Sequence, residues 1–205
     1  VRGFRRLDIA VDRRVLVPRP ETELLVEVGL TAPPGATVVD VGTGSGAIAL
    51  ALADERPDLV LHGVDRSADA LEVAAANARR LDLPAVAWRH GDLLAGLTAA
   101  ATDGPLWVLS NPPYIPDGDR DDLPPEVREH DPPLALFGGS DGLDVVRRLV
   151  PAARDAGADL LAIEVGAGQA PEVEDVARDA GFATAETLDD LAGIGRVVVA
   201  RRHPR

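Results

Sequence analysis

The chain has 205 residues, 46% of them hydrophobic, which is enough for one well-buried α/β domain. All 21 basic residues are arginine and there is no cysteine, which excludes disulfides, zinc-thiolate sites, cysteine nucleophiles, a Walker A lysine and a Schiff-base lysine. A formal net charge of −13 argues against a nonspecific nucleic-acid surface, because phosphate binding needs clustered positive charge. No apolar stretch reaches bilayer-spanning length and no signal pattern opens the chain, so no membrane partner is expected; the absence of cysteine fits a cytoplasmic protein, and a monomer is expected. With no methionine in the chain, the expectation is that Val1 is not the translated start or that the start is misassigned.

In chain order, residues 1–19 read as an N-terminal β-hairpin, with Phe4 to Val11 pairing with Val15 to Val17 across Asp12-Arg13-Arg14. Pro18-Arg19-Pro20-Glu21-Thr22-Glu23 then leads into a helix marked by Leu24, Leu25 and Val28. Pro20 suits a first helical turn, and Glu21 and Glu23 complement the positive helix end. From Ala36 onward strand and helix alternate. Strands are expected at Thr37–Val41, Leu59–Val64, Val86–Arg89, Leu106–Leu109 and Leu160–Val165, and helices at Ala47–Ala53, Ala68–Leu81, Leu143–Ala156 and Ala170–Ala180. Two final strands, Phe182–Thr187 and Arg196–Arg201, are joined by a connection too short for a crossover and read as an antiparallel hairpin. The expected fold is α/β and Rossmann-like: a doubly wound, mostly parallel seven-stranded sheet, in one domain spanning residues 1–205.

Residues 115–139 break this economy. Five prolines and seven carboxylates (Asp117, Asp119, Asp121, Asp122, Glu126, Glu129 and Asp131) show little helical or strand periodicity. Such an acidic insertion reads as a functional lid or binding loop for a basic partner segment, or else as a solvated loop.

Two strand ends carry chemistry. The first expected core strand runs through Asp40 into Gly42-Thr43-Gly44-Ser45-Gly46, where glycines let backbone approach a ligand closely. Asp65, ending the second strand, is placed to accept ribose hydroxyls, while Asp92 and Leu93 after the third are placed at an adenine. An acid at position 40 repels a pyrophosphate but meets the amino group of a methionine moiety, so S-adenosylmethionine fits better than NAD. The fourth strand ends in Asn111-Pro112-Pro113-Tyr114. An asparagine oxygen and a prolyl carbonyl can accept the two hydrogens of a planar –NH2, with the only tyrosine covering its face. On its own this tetrapeptide is also compatible with a plain Asn-Pro turn. Glu164, ending the fifth strand, reads as an orienting group, a proton acceptor, or an acid bonded to loop backbone. His62, His90, His130 and His203 do not pair at metal-ligand spacing, so no metal is expected.

These motifs resemble the class I methyltransferases and, among them, the HemK/PrmC family of release factor glutamine methyltransferases. The likeness covers nearly the whole chain: residues 18–23, Asp40 through Gly46, Asp65, Asn111 through Tyr114, Phe137 through Leu143, Ile163 through Gly166 with Gln169, and Asp190 through Val197. The resemblance implies methyl transfer from S-adenosylmethionine, leaving S-adenosylhomocysteine, to the side-chain amide nitrogen of a release-factor glutamine. It implies cofactor contacts from Gly42 to Gly46, Asp65, Leu93 and Asn111, and a glutamine held by Asn111, Pro112, Pro113 and Tyr114. It also implies a small helical domain ahead of the hairpin that this chain lacks, so the chain reads as a catalytic domain or a reduced relative. An adenine-N6 nucleic-acid methyltransferase shares the amino-group grip, and a non-catalytic cofactor-binding subunit shares the fold.

Overall fold

The computed structural model describes residues 1–83, 85–95, 97 and 104–203, without the side chain of Glu126. Its centre is a seven-stranded sheet built from β3 (Thr37–Val41), β4 (Val60–Asp65), β5 (Ala87–His90), β6 (Leu106–Ser110), β7 (Leu160–Glu164), β8 (Thr184–Asp189) and β9 (Gly195–Arg201). The spatial order is β5-β4-β3-β6-β7-β9-β8. The first five strands run parallel, and β9 is antiparallel to both β7 and β8, as expected of the C-terminal hairpin.

Helices cover both faces, and the strands alternate accordingly. Val38, Trp107, Leu109, Leu160, Ala162, Val197 and Val199 pack toward α1 (Glu23–Leu30) and α2 (Ala47–Glu55), with Ala78 of α3 (Ala68–Arg80). Their neighbours Val39, Leu106, Val108, Leu161, Ile163, Val198 and Ala200 pack toward α6 (Asp144–Ala156) and α7 (Ala170–Asp179). All five residues of β3, β6 and β7 are buried, which is why these strands read as continuous apolar runs rather than alternating ones. Ser67 caps α3 by accepting from the Ala70 N–H at 3.2 Å, with Arg79 and Arg80 in the last turn. No helix among the described residues is long and apolar enough to cross a membrane.

Strand order reverses between β3 and β6, and there Ser110 Oγ donates to the Val41 carbonyl at 2.8 Å. Open α/β sheets bind ligands outside the carboxyl ends at such a switch point. Both chemical motifs, the glycine loop after β3 and the tetrapeptide after β6, leave the sheet on this one edge.

The N-terminal hairpin exists but is paired differently from the sequence expectation. Its strands are β1 (Arg2–Phe4) and β2 (Leu7–Ile9), joined by Arg5-Arg6, with Phe4 opposite Leu7. Arg5 turns at φ 51°, and its guanidinium bonds both Glu55 oxygens, at 2.6 and 2.9 Å, and also Glu27. Its N–H donates to Glu23 Oε1 at 3.0 Å. Burial of Phe4 and Ile9 against the core completes this earlier turn. Residues 10–19 are instead a strap without regular structure, held by side chains of distant elements. Asn77 of α3 accepts from Ala10 N–H and donates to Ala10 C=O, both at 2.9 Å, and also donates to Ser45 C=O at 3.0 Å.

The insertion differs too. It contains a 3-10 turn at Asp117–Asp122 and two short helices, α4 (Pro125–His130) and α5 (Pro133–Leu136). Each α-helix begins at the second of two successive prolines, where a fixed φ favours the first turn and the missing N–H leaves no helix bond unmade. A proline-rich stretch with little periodicity thus holds two helix starts.

Trp88 of β5 sets one tight constraint. A Cβ added at Gly63 of β4 would sit 2.3 Å from its ring, and one at Gly46 would sit 2.9 Å away. Gly63→Ala is therefore expected to lower unfolding stability by about 1–3 kcal/mol through overpacking against a rigid ring. Urea denaturation measures this, and an unchanged midpoint would show that Trp88 moves freely.

Candidate functional site

The glycine loop turns through φ values of 71°, 55° and 81° at Gly42, Gly44 and Gly46, which side chains rarely adopt. Backbone bonds brace it: the N–H groups of Gly42 and Thr43 donate to Val64 C=O at 2.8 and 3.0 Å. Asp65 locks the next element, accepting from Gly44 N–H at 2.9 Å and Ser67 N–H at 2.8 Å. Gly42 to Ser45, Asp65, Asp92 and Leu93 all line one cavity, whereas Gly46, also expected at the cofactor, is not on its wall. Leu93 sits at φ 52°, an uncommon conformation for a bulky residue at the cavity wall. Asp92 pairs with Arg148 of α6, which lines the same cavity.

Asp40 is placed otherwise than expected. It is 1% exposed and stands behind the loop rather than on the cavity wall. Its Oδ2 accepts the Thr43 hydroxyl at 2.6 Å, while Oδ1 has no partner among the described residues. Burial lifts its pKa to about 7, partly offset by the Thr43 hydroxyl and a backbone N–H of α2. Its direct contact is with the loop, so it acts on a ligand through the loop's shape and field.

The tetrapeptide divides between two cavities. Pro112 and Pro113 line the first, Tyr114 lines a second beside it, and Asn111 lines both. Asn111 Nδ2 donates to Thr22 Oγ1 at 3.1 Å, and its Oδ1 accepts no hydrogen bond from the described residues. The second cavity also carries Arg19, Glu21, Glu164 and Arg196. Tyr114 stands with its hydroxyl 3.5 Å from Glu164 Oε1, and burial with that carboxylate pushes its pKa up to about 12. Glu164 is 2% exposed, its Oε2 has no partner among the described residues, and burial raises it to about 7. Gln169 fixes the turn from behind, donating to Tyr114 C=O at 3.0 Å and accepting from Gly166 N–H at 2.8 Å.

Several contributors carry no individual signal in the sequence. Thr22 sits in a segment whose glutamates read as helix-end charges, yet it is the residue that anchors Asn111. Glu21 faces the second cavity, and Glu23 serves the hairpin. Asp131, one of seven acids counted as a partner-attracting charge, is instead 5% exposed and internal. It accepts from Arg19 at 2.7 Å and from Val17 N–H at 3.3 Å, clasping the insertion to the strap. Arg120 also spends its charge internally, over the Phe137 ring at 4.7 Å.

The residues present fit a nucleoside-bearing sulfonium cofactor. Backbone exposed at Gly42 and Gly44, with the carboxylates of Asp65 and Asp92 on the same wall, suits a ligand with hydroxyl and amino donors. The raised pKa of Asp40 also has a consequence for stability. A group whose folded value lies above its ordinary 3.8 gives stability at low pH that is lost as pH rises through about 7. Asp40→Asn is expected to flatten that fall, so its stability relative to wild type improves with pH. Denaturant titrations on either side of about pH 7 test this, and a pH-independent difference would contradict it.

Comparison with known proteins gives the same picture. The Methyltransferase small domain family matches residues 20–123. Release factor glutamine methyltransferase of Rhodospirillum rubrum is 45% identical over 207 residues, covering 98% of this chain, which spans 62% of that relative. Those of Caulobacter vibrioides and Gloeobacter violaceus are 43% and 46% identical, covering 99% and 96% of this chain and 71% and 70% of their own length. Among solved structures, the human METTL16 catalytic domain in complex with a MAT2A 3'UTR hairpin superposes with a TM-score of 0.72 at 13% identity, over 97% of this chain and 76% of that one. A ribosomal protein L11 methylase from Lactobacillus delbrueckii gives 0.57 at 19% identity, over 91% and 81%. At these identities the structures share the fold. The curated relatives go further, and on their likeness this chain belongs to the release factor glutamine methyltransferase family.

Proposed function

We propose that residues 1–205 form a methyltransferase domain that transfers a methyl group from S-adenosylmethionine to the side-chain amide nitrogen of a glutamine in a peptide chain release factor, in the cytoplasm. The observation that carries this reading is the position of Asn111, at the junction of the two cavities with its amide oxygen free. The first cavity supplies the cofactor site, with Gly42, Thr43, Gly44, Ser45, Asp65, Asp92 and Leu93 around it. The second, walled by Tyr114, takes the glutamine side chain. Bound S-adenosylmethionine supplies an electrophilic methyl group.

An amide nitrogen is a poor nucleophile because its lone pair is delocalised into the carbonyl, so the protein's work is positioning. Asn111 Oδ1 and the Pro112 carbonyl accept the two N–H bonds of the substrate amide and hold its nitrogen at the cavity junction. Pro112 and Pro113 contribute no N–H of their own and stiffen the turn that presents this carbonyl. Tyr114 covers the amide plane and keeps water out. Orientation of this kind supplies about 7–11 kcal/mol of a barrier when the attack geometry is good. The buried acids Asp40 and Glu164 place negative potential near the site, which favours a positively charged ligand. The adenine-N6 reading is less well supported, since the net charge of −13 opposes a polynucleotide and the most similar curated relatives carry a protein-methyltransferase name.

Incubating the protein with labelled S-adenosylmethionine and, separately, a release factor, a ribosomal protein and an adenine-containing nucleic acid tests the reading. Mass spectrometry is expected to find the methyl group on a glutamine amide of the release factor. Label on the nucleic acid alone, or none on any candidate, would overturn it. In the same assay Asn111→Ala is expected to abolish transfer while cofactor affinity falls only modestly, and near-wild-type turnover would sink the positioning mechanism.

A further inference from the structure

The second cavity has about 290 Å³ of open space. One water takes about 10–15 Å³ of such space, so the five heavy atoms of a glutamine side chain fill roughly 50–75 Å³ of it. Most of the cavity is left for whatever flanks the glutamine, and the charges on its wall select that neighbour. Arg19 and Arg196 line it, but each is already paired with a carboxylate that does not: Arg19 with Asp131 at 2.7 Å, and Arg196 with Asp190 at 2.9 Å. Glu21 and Glu164 line it too. Glu21 is half-buried and makes no hydrogen bond or ion pair among the described residues. Glu164 is 2% exposed, and its Oε2 has no partner among the described residues. Four carboxylates against two guanidinium groups leave an excess of two negative charges when Glu164 is ionised, and of one when it is protonated. Apolar side chains of the insertion, Leu123, Val127 and Leu136, form another part of the wall, so these charges are screened less than on open surface.

We infer that Glu21, backed by the more deeply buried Glu164, selects a protein segment that carries a basic side chain next to the methylated glutamine, a role that rests on the function proposed above. A guanidinium, ammonium or imidazolium in that place supplies the partner that Glu21 lacks. An acidic neighbour meets carboxylates instead, and like charges brought together in an interface are strongly disfavoured, so the slot discriminates by rejection as well as by attraction. Glu21 also sits in the turn ahead of α1, where a carboxylate complements the positive helix end, but that contribution is indifferent to what occupies the cavity. The basic partner segment expected from the acidic insertion is thus met by acids of other elements, since Asp131 of the insertion is spent on Arg19.

The test uses two series of short glutamine peptides, with Arg, Ala or Glu placed immediately before the glutamine in one series and immediately after it in the other. Peptide affinity is measured by calorimetry with S-adenosylhomocysteine bound, and kcat/KM with S-adenosylmethionine, for wild type, Glu21→Gln and Glu21→Arg. Wild type is expected to bind the Arg peptide about 10-fold more tightly than the Glu peptide in at least one series, with the difference in KM rather than kcat. Glu21→Gln should shrink that ratio and Glu21→Arg should invert it, both with S-adenosylhomocysteine affinity within a few-fold of wild type. A role at the helix end alone would change stability and leave the peptide preference where it was. Equal affinities across both series, a wild-type preference kept in both variants, or no binding of any peptide would each overturn the inference. Absence of transfer by wild type to a release factor and to every peptide would instead overturn the proposed function, and the binding ratios then still decide the charge preference.

Discussion

The hydrogen bond from Asn111 Nδ2 to Thr22 Oγ1 joins two segments 89 residues apart and decides what the site offers a ligand. Without it, the tetrapeptide after β6 is a rigid turn with an amide of undefined polarity. With it, one acceptor faces the place where two cavities meet. Much of the surrounding architecture keeps this bond in register. The antiparallel addition of β9 beside β7 brings Arg196 to the second cavity, and Gln169 pins the backbone of Tyr114. The Arg19–Asp131 pair clasps the insertion to the strap on which Thr22 follows. Net contributions of single hydrogen bonds are only about 1 kcal/mol, so their value here lies in geometry more than in stability.

Burial supplies the electrostatics. Fully buried β3, β6 and β7 bring their terminal polar groups to one edge in a dry environment, and two of those groups are acids with an unpartnered oxygen, Asp40 and Glu164. Both have pKa values raised to about 7, so folding retains them at a cost that grows with pH. A purely structural interior has little use for such groups. Asp40 works on the glycine loop through Thr43, whose hydroxyl it accepts at 2.6 Å. There a carboxylate orients a threonine hydroxyl within the loop that lines the first cavity.

Features carried by local pattern were legible in the sequence. Continuous apolar runs marked the buried strands, and glycines at 42, 44 and 46 marked a close backbone approach. The strand-end placement of Asp65, Asp92 and Asn111 put them on one edge. What pattern did not reveal depends on side chains reaching backbone far away in the chain. Asn77 looks like any polar residue on an amphipathic helix, yet it holds Ala10 across 67 positions. The hairpin turns at Arg5 rather than at the locally conspicuous Asp12-Arg13-Arg14, because Arg5 gains three glutamate partners that local sequence does not bring together. Asp131 read as solvated charge because its arginine partner lies 112 residues away. The proline pairs of the insertion carry opposite meanings by position, and only the structure assigns them to helix starts.

The claim that one oriented amide grips another is tested most directly by an atomic-resolution structure of the protein with S-adenosylhomocysteine and a glutamine peptide. The account predicts the glutamine nitrogen within about 3 Å of both Asn111 Oδ1 and the Pro112 carbonyl, with Asn111 Nδ2 still donating to Thr22. A glutamine bound elsewhere, or an Asn111 amide turned with its NH2 toward the substrate, would contradict it.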